Sequence, residues 1–202
     1  MERGTATDGE RRPTDAREAI VASVARLIAR KGVRGLRVEE VAADADVSPA
    51  LLYYHYGSRS GLIRAALERA SQKVAEEPIA LDDGEGNGYH RVERSLLSEF
   101  AEDETVRDNA AVWSEVNASA VFDDSLRGDL EAANEAWRGA LEECILVGIA
   151  DGSIRSDIEP SAVAEVLASL VDGLCGRWLA GSLAPAEARR LVRITLSAAL
   201  AS

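Results

Sequence analysis

The sequence is poor in the residues that several common classes of protein depend on. Its 202 residues include two cysteines, Cys144 and Cys175, two histidines, His55 and His90, and one methionine. No Cys-x-x-Cys spacing is present, so a disulfide framework and a structural zinc are both excluded. The residues three before each histidine are Leu52 and Asn87, not the glutamates that a Glu-x-x-His di-metal bundle needs. No metal, no cofactor and no enzymatic activity are therefore expected. There is no apolar run of about 18 residues, and the opening stretch MERGTATDGERRPTD carries charge where a signal peptide has its apolar core. A cytoplasmic protein without a membrane segment is the expectation. Aromatic residues make up 4% of the chain, and no segment alternates apolar and polar residues long enough to read as a strand. Positive charge is the last scarcity: 23 basic against 35 acidic side chains leave a net charge of −12, which at first sight excludes nucleic acid.

That exclusion fails once the charge is divided along the chain. Residues 1 to 75 hold 13 Arg or Lys against 10 Asp or Glu, and residues 76 to 202 hold 10 against 25. The halves therefore carry +3 and −15, an asymmetry that points to a surface or nucleic-acid contact at one end. Arg26, Arg30, Lys31, Arg34 and Arg37 follow one another with no acid among them. By itself this reads as a solvated helix face, and because 21 of the 23 basic residues are arginine, no single arginine there implies guanidinium chemistry.

With 47% apolar residues the chain can bury a sizeable core, and alanine and leucine at helical spacing predict an all-α fold of about nine helices. The first helix starts at Thr14 or Asp15, with Asp15 and Glu18 spaced as a capping box, and stops at Gly32. Short helices follow over 38–45 and 49–56; the second has Ser48 as N-cap and Pro49 as first helical residue. A fourth helix is expected from Ser60 to about Glu77, ended by Pro78. The acidic, Gly-rich segment 78–88 reads as a linker. Five longer helices are expected beyond it, over 89–101, 104–121, 124–150, 160–181 and 185–201. The domain organisation is then a flexible arm over 1–13, a three-helix unit over 14–60 with a connecting helix over 60–77, and a helical bundle over 78–202.

Two short helices joined at Ala45-Asp46-Val47 have the dimensions of a helix-turn-helix, whose second helix enters the DNA major groove. That helix carries Tyr53, Tyr54, His55 and Tyr56 in succession. At about 100° per residue these rings span about 300° and cannot share one core. Leu52 and Tyr56 are expected to point inward, leaving Ala50, Leu51, Tyr54 and His55 as an outward stripe suited to thymine methyls, base edges and phosphates.

The stretch from Thr14 to Leu67 resembles the N-terminal domain of the TetR (tetracycline repressor) family of bacterial transcriptional regulators. The resemblance rests on Gly32, on the run from Val41 to Ser48, and on the run from Leu52 through Tyr53, Tyr54, His55 and Tyr56 to Leu62. It departs from the family pattern at Asp46, which replaces the turn glycine, at Arg37, which replaces a capping threonine, at Tyr56 in place of phenylalanine, and at Arg59 in place of a phosphate-binding lysine. Position by position, the resemblance implies phosphate contacts from Arg37, Tyr53, His55 and Arg59. It implies base readout by Ala50, Leu51 and Tyr54, on a helix started by Ser48 and Pro49.

The region from Tyr89 onward resembles the C-terminal domain of BetI-type TetR regulators through Val112-Trp113, Asp124 and Leu126 ahead of a long helix with Trp137, the run Val171-Asp172-Gly173-Leu174, and the segment 179–183. The resemblance implies a ligand-binding and dimerisation domain. Phe100, Trp113, Asn117, Phe122, Trp137, Cys144 and Trp178 are the expected pocket residues, large aromatics with few polar groups. Leu167, Leu170, Val171, Leu174, Leu191, Ile194, Thr195 and Ala198 are the expected homodimer interface. The partners so implied are a palindromic double-stranded DNA operator and a small-molecule effector; the acidic domain suits a cationic effector, or equally serves to keep the dimer soluble and repel DNA from the wrong face. The alternative is a DNA-binding or partner-recruiting regulator without a small-molecule inducer.

Overall fold

The computed structural model describes the backbone of residues 13–80 and 86–201 and the side chains of residues 16–71 and 86–201. Residues 1–12 of the expected arm, the Asp15 capping side chain and residues 81–85 of the expected linker lie outside the described residues. Those described form nine α-helices and no strand: α1 (Pro13–Gly35), α2 (Val38–Asp44), α3 (Pro49–Tyr56), α4 (Arg59–Ala80), α5 (Gly88–Ser98), α6 (Glu104–Ala120), α7 (Arg127–Asp151), α8 (Pro160–Leu179) and α9 (Pro185–Leu200). The all-α architecture is as expected. None of these helices is long and apolar enough to cross a membrane.

Local chemistry accounts for most boundaries. Ser48, Asn87, Asp103 and Glu159 each cap the helix that follows, with a side-chain oxygen accepting a backbone N–H. Gly152 closes α7 in the left-handed region at φ 79°. Several boundaries differ from expectation by up to three residues, among them the end of α5 at Ser98 and the start of α7 at Arg127. Pro78 does not end α4, which runs to Ala80; a proline in a last turn removes only one hydrogen bond. α1 spans Pro13–Gly35, and its long first run stops at Gly32 as expected, where the backbone leaves helical geometry at φ 71° and ψ 167°. The break is functional in the packing sense: the freed Val33 N–H donates to the Glu115 carboxylate of α6 at 3.0 Å. A Cβ at position 32 would stand 2.6 Å from the same carboxylate.

Asp46 takes the left-handed conformation at φ 55°, alone among the described non-glycine residues. The strain of an L-residue there is about 1 kcal/mol, less for Asp than for most others. Asp46→Gly is expected to raise the melting temperature by a few degrees, while Asp46→Val lowers it; thermal unfolding followed by circular dichroism checks both, and a lower melting point for the glycine variant would count against a strained turn.

The buried side chains form two cores. The first joins α1 to α4 with one side of α6 (Val112, Trp113, Val116, Ala120) and the start of α7 (Leu130, Ala133). The second joins α5, α8 and α9 with the rest of α7, including Trp137, Phe100 and Trp178. α1 to α4 thus share a core with α6 and α7 and are not packed as an independent unit.

Candidate nucleic-acid interface and ligand cavity

α3 is short, and its geometry is set at both ends. Ser48 Oγ accepts the Leu51 N–H at 3.3 Å, and Gly57, at φ 70°, ends the helix. Gly61, in the first turn of α4, lies so close to the Tyr56 carbonyl that a Cβ could not be accommodated; glycine at this position lets α4 start directly beneath α3. Leu52 is buried, and Tyr56 packs on the first core, where burial pushes its phenol above the usual range. The opposite face is open: Ser48, Pro49, Ala50 and Tyr53 are exposed, Tyr54 is 83% exposed, and Leu51 and His55 are half-buried. The Tyr54 and His55 rings meet edge to face at 5.0 Å, which orders a solvent-facing aromatic pair. Arg37 is exposed at the start of α2 and makes no capping bond.

Arg59, the residue expected at a phosphate, also makes contacts inside the protein. Its guanidinium is half-buried and donates from Nε to the Leu36 carbonyl at 3.0 Å and from Nη2 to the Val33 carbonyl. It holds the connection between α1 and α2 against the start of α4, and two of its five N–H donors are spent inside the protein.

The expected pocket residues divide. Trp113 and Trp137 face each other with ring centroids 6.3 Å apart, one from each core. A small cavity of about 20 Å³ opens beside them, lined also by Glu99, Ser114, Asp172 and Cys175. The Trp137 indole Nε1 is a buried donor without an acceptor. Desolvation and the Glu165 carboxylate push the Asp172 carboxyl up to about 6, although part of its side chain is open to solvent. Burial raises the Cys175 thiol far above its ordinary value, so it lines the cavity as a small apolar group. Phe100 and Trp178 are buried together with ring centroids 6.1 Å apart. Asn117 donates to the Trp113 carbonyl one turn back. Cys144 packs at the edge of the second core, away from the cavity lining. Phe122 is 79% exposed just past the end of α6 and belongs to no inner pocket. Glu99 and Asp172, which sequence reasoning missed, are the charged groups of this cavity; a carboxylate within the apolar run Leu170-Val171-Asp172-Gly173-Leu174 was the available hint.

The expected partner-facing residues also divide. Leu167, Val171 and Leu174 are buried in the second core, so they cannot meet another subunit without unpacking this one. Leu170, Leu191 and Thr195 are half-buried, and Ala198, Ile194 and the unforeseen Val166 are exposed. Val166 at 60% and Ile194 at 51% exposure give α8 and α9 an apolar outer face.

A helix-turn-helix with an open aromatic recognition face, joined through a common core to a helical bundle, defines a DNA-binding transcriptional regulator. Residues 20–66 match the domain described as bacterial regulatory proteins, tetR family, and residues 89–201 match the C-terminal domain of BetI-type transcriptional repressors. The chain belongs to the TetR family and carries a BetI-type C-terminal domain. It is similar to the HTH-type transcriptional regulator BetI of Rhizobium meliloti (strain 1021), 26% identical over 158 residues, 78% of this chain and 75% of that protein. Among solved structures, a protein assigned to the TetR family from Rhodococcus sp. is 34% identical with a TM-score of 0.87, covering 93% of this chain and 100% of the other. A transcriptional regulator from Saccharomonospora viridis, crystallised with choline, has the same fold at 23% identity and a TM-score of 0.78, covering 94% and 99% of the two chains.

Proposed function

We propose that the protein is a cytoplasmic, homodimeric repressor that binds a palindromic operator and is released from it by a small organic cation. The open face of α3 carries the DNA-binding part of this reading. A solvated helix would show Lys and Glu there, whereas Ala50, Leu51 and Tyr54 suit base edges, with Arg37, Tyr53 and His55 at the backbone. Pairing through the outer face of α8 and α9 (Val166, Leu170, Leu191, Ile194, Thr195, Ala198) supplies two α3 helices for half-sites about 34 to 36 Å apart.

The position and lining of the tryptophan cavity support the effector half. Two indole faces attract a cation, Glu99 and Asp172 supply negative charge, and the unpaired Trp137 Nε1 asks for an acceptor oxygen on the ligand. Choline, the molecule held by the Saccharomonospora viridis regulator, has this chemistry. A volume of about 20 Å³ holds about one water, so a ligand enters only by parting Trp113 from Trp137, and with them α6 from α7. Because Glu115 of α6 holds the Val33 N–H of α1, a displaced α6 carries the DNA-binding helices with it. Ligand and operator then favour different states, as release requires.

Titration of choline and tetramethylammonium, read by tryptophan fluorescence and by release of a duplex selected from a random library, tests the effector reading. Both cations are expected to saturate, choline several-fold more tightly through the Trp137 bond, and Trp137→Phe should erase that difference. Affinity should fall as pH drops through about 6, because protonation of Asp172 removes its charge. If neither cation saturates, the effector is not of this class, and a regulator without an inducer becomes the better reading.

A further inference from the structure

A second site, on a neighbouring face of α6 from the tryptophan cavity, has the opposite charge. A groove of about 730 Å³ runs between the C-terminal part of α1, the outer side of α6 and the end of α8. That volume falls within the range of about 300 to 1,000 Å³ usual for small-molecule sites, whereas the tryptophan cavity is closed at about 20 Å³. Arg30, Arg34 and Arg107 line it, and among the described residues none of the three has a carboxylate within salt-bridge distance, although Arg30 and Arg107 feel the Asp108 carboxylate from further off. In a chain with 35 acidic residues this is not for want of carboxylates. On the surface of the bundle Arg138, Arg155, Arg189, Arg190 and Arg193 all find one. Lys31 at the rim is paired with Glu40 at 2.7 Å, and the groove's carboxylate, Glu115, is occupied by the Val33 N–H.

The groove also has an aromatic wall. Phe122 lines it with its ring 79% exposed, and the Arg34 guanidinium lies 5.9 Å from the ring centroid. Arg107 is held in the same way over Trp178 at 5.7 Å. Stacking restricts both guanidinium groups while leaving their N–H donors available, the arrangement that favours bidentate capture of a planar or tetrahedral anion. An exposed phenyl ring beside such a cation offers apolar surface to the body of the same ligand.

We propose that this groove binds a small aromatic anion, a carboxylate or a phosphate monoester, with its charged group between Arg34, Arg30 and Arg107 and its ring against Phe122. The site is separate from the tryptophan cavity, although Ser114 of α6 borders both, and it does not depend on that cavity's ligand being a cation. One wall belongs to the DNA-binding helices and the other to the bundle. Its occupancy therefore couples to their relative position and makes the anion a co-regulator.

Calorimetry on the full chain with 1-naphthoate and phenyl phosphate, at constant ionic strength, tests the assignment. At least one should bind saturably, and Arg34→Ala and Phe122→Ala should each weaken it about tenfold or more. The same-shaped cation 1-naphthylmethylammonium should not compete. Both substituted side chains are exposed, so unchanged melting curves are expected and separate lost binding from lost folding. The proposal is overturned by no saturable binding at millimolar concentration, or by binding that the substitutions leave intact. It is equally overturned if the substitutions weaken operator DNA and spare naphthoate, which would make the groove a backbone-phosphate surface. A failed choline titration leaves this outcome untouched.

Discussion

Leu170→Asp combined with Ile194→Asp should yield a folded monomer whose operator affinity lies at least about a thousandfold below that of the parent chain. Neither side chain belongs to the fully buried set: Ile194 is exposed and Leu170 half-buried, so the carboxylates can reach water while the subunit is alone. Within a pair they would be buried against an apolar face, where an unpaired charge costs several kcal/mol. The DNA consequence follows from linkage. In a dimer, binding of one α3 helix presents the second at an effective concentration in the millimolar range; a monomer loses that and returns toward the non-specific level of about 10⁻⁴ to 10⁻⁶ M. With a balance of +3 over residues 1–75, little electrostatic attraction remains to compensate. Light scattering behind a sizing column and a gel shift on selected operator give the two readouts. A variant that stays dimeric would move the interface elsewhere, and a monomer that retains full operator affinity would end the two-headed mechanism.

The parts of this arrangement that were legible in the sequence are those governed by local chemistry. Ser48-Pro49 starts α3 at the residue expected, because a cap and a preset φ act within one turn. Asp46 at φ 55° occupies the turn for a similarly local reason. Residues whose surroundings depend on distant chain were less legible. Arg59 looked like a surface cation because nothing nearby in sequence shows that the Val33 and Leu36 carbonyls, over twenty residues earlier, converge on it. Phe122 lines the outer groove and not the tryptophan cavity, because an aromatic just past a helix end can face either way. α8 is apolar around most of its circumference, so periodicity did not separate Leu167, Val171 and Leu174, which pack inward, from Val166 and Leu170, which look outward. Asp172 was hidden by the same wealth of apolar neighbours.

Arg59→Ala and Arg37→Ala should both weaken operator binding, by different routes that salt dependence separates. Removing the Arg59 guanidinium leaves the Val33 and Leu36 carbonyls without their charged donor, and hydrogen bonds to a charged group are worth about 1.5 to 3 kcal/mol each. The variant should lose several degrees of melting temperature, and the α1–α2 connection should loosen beside the recognition helix. Operator affinity is expected to fall about 10- to 100-fold, with the slope of log affinity against log salt nearly unchanged, since few phosphate contacts are deleted. Arg37 is exposed and supports no packing; its removal should leave the melting temperature within about a degree and reduce the salt slope by about one. Arg59→Lys is the more discriminating substitution. If Arg59 were a phosphate ligand, lysine would restore most of the binding, because an ammonium serves a phosphate nearly as well. If its task is to span two backbone carbonyls from Nε and Nη2, lysine has no fork with which to do so and should behave almost like alanine. Full recovery of operator affinity in the lysine variant would return Arg59 to the DNA surface.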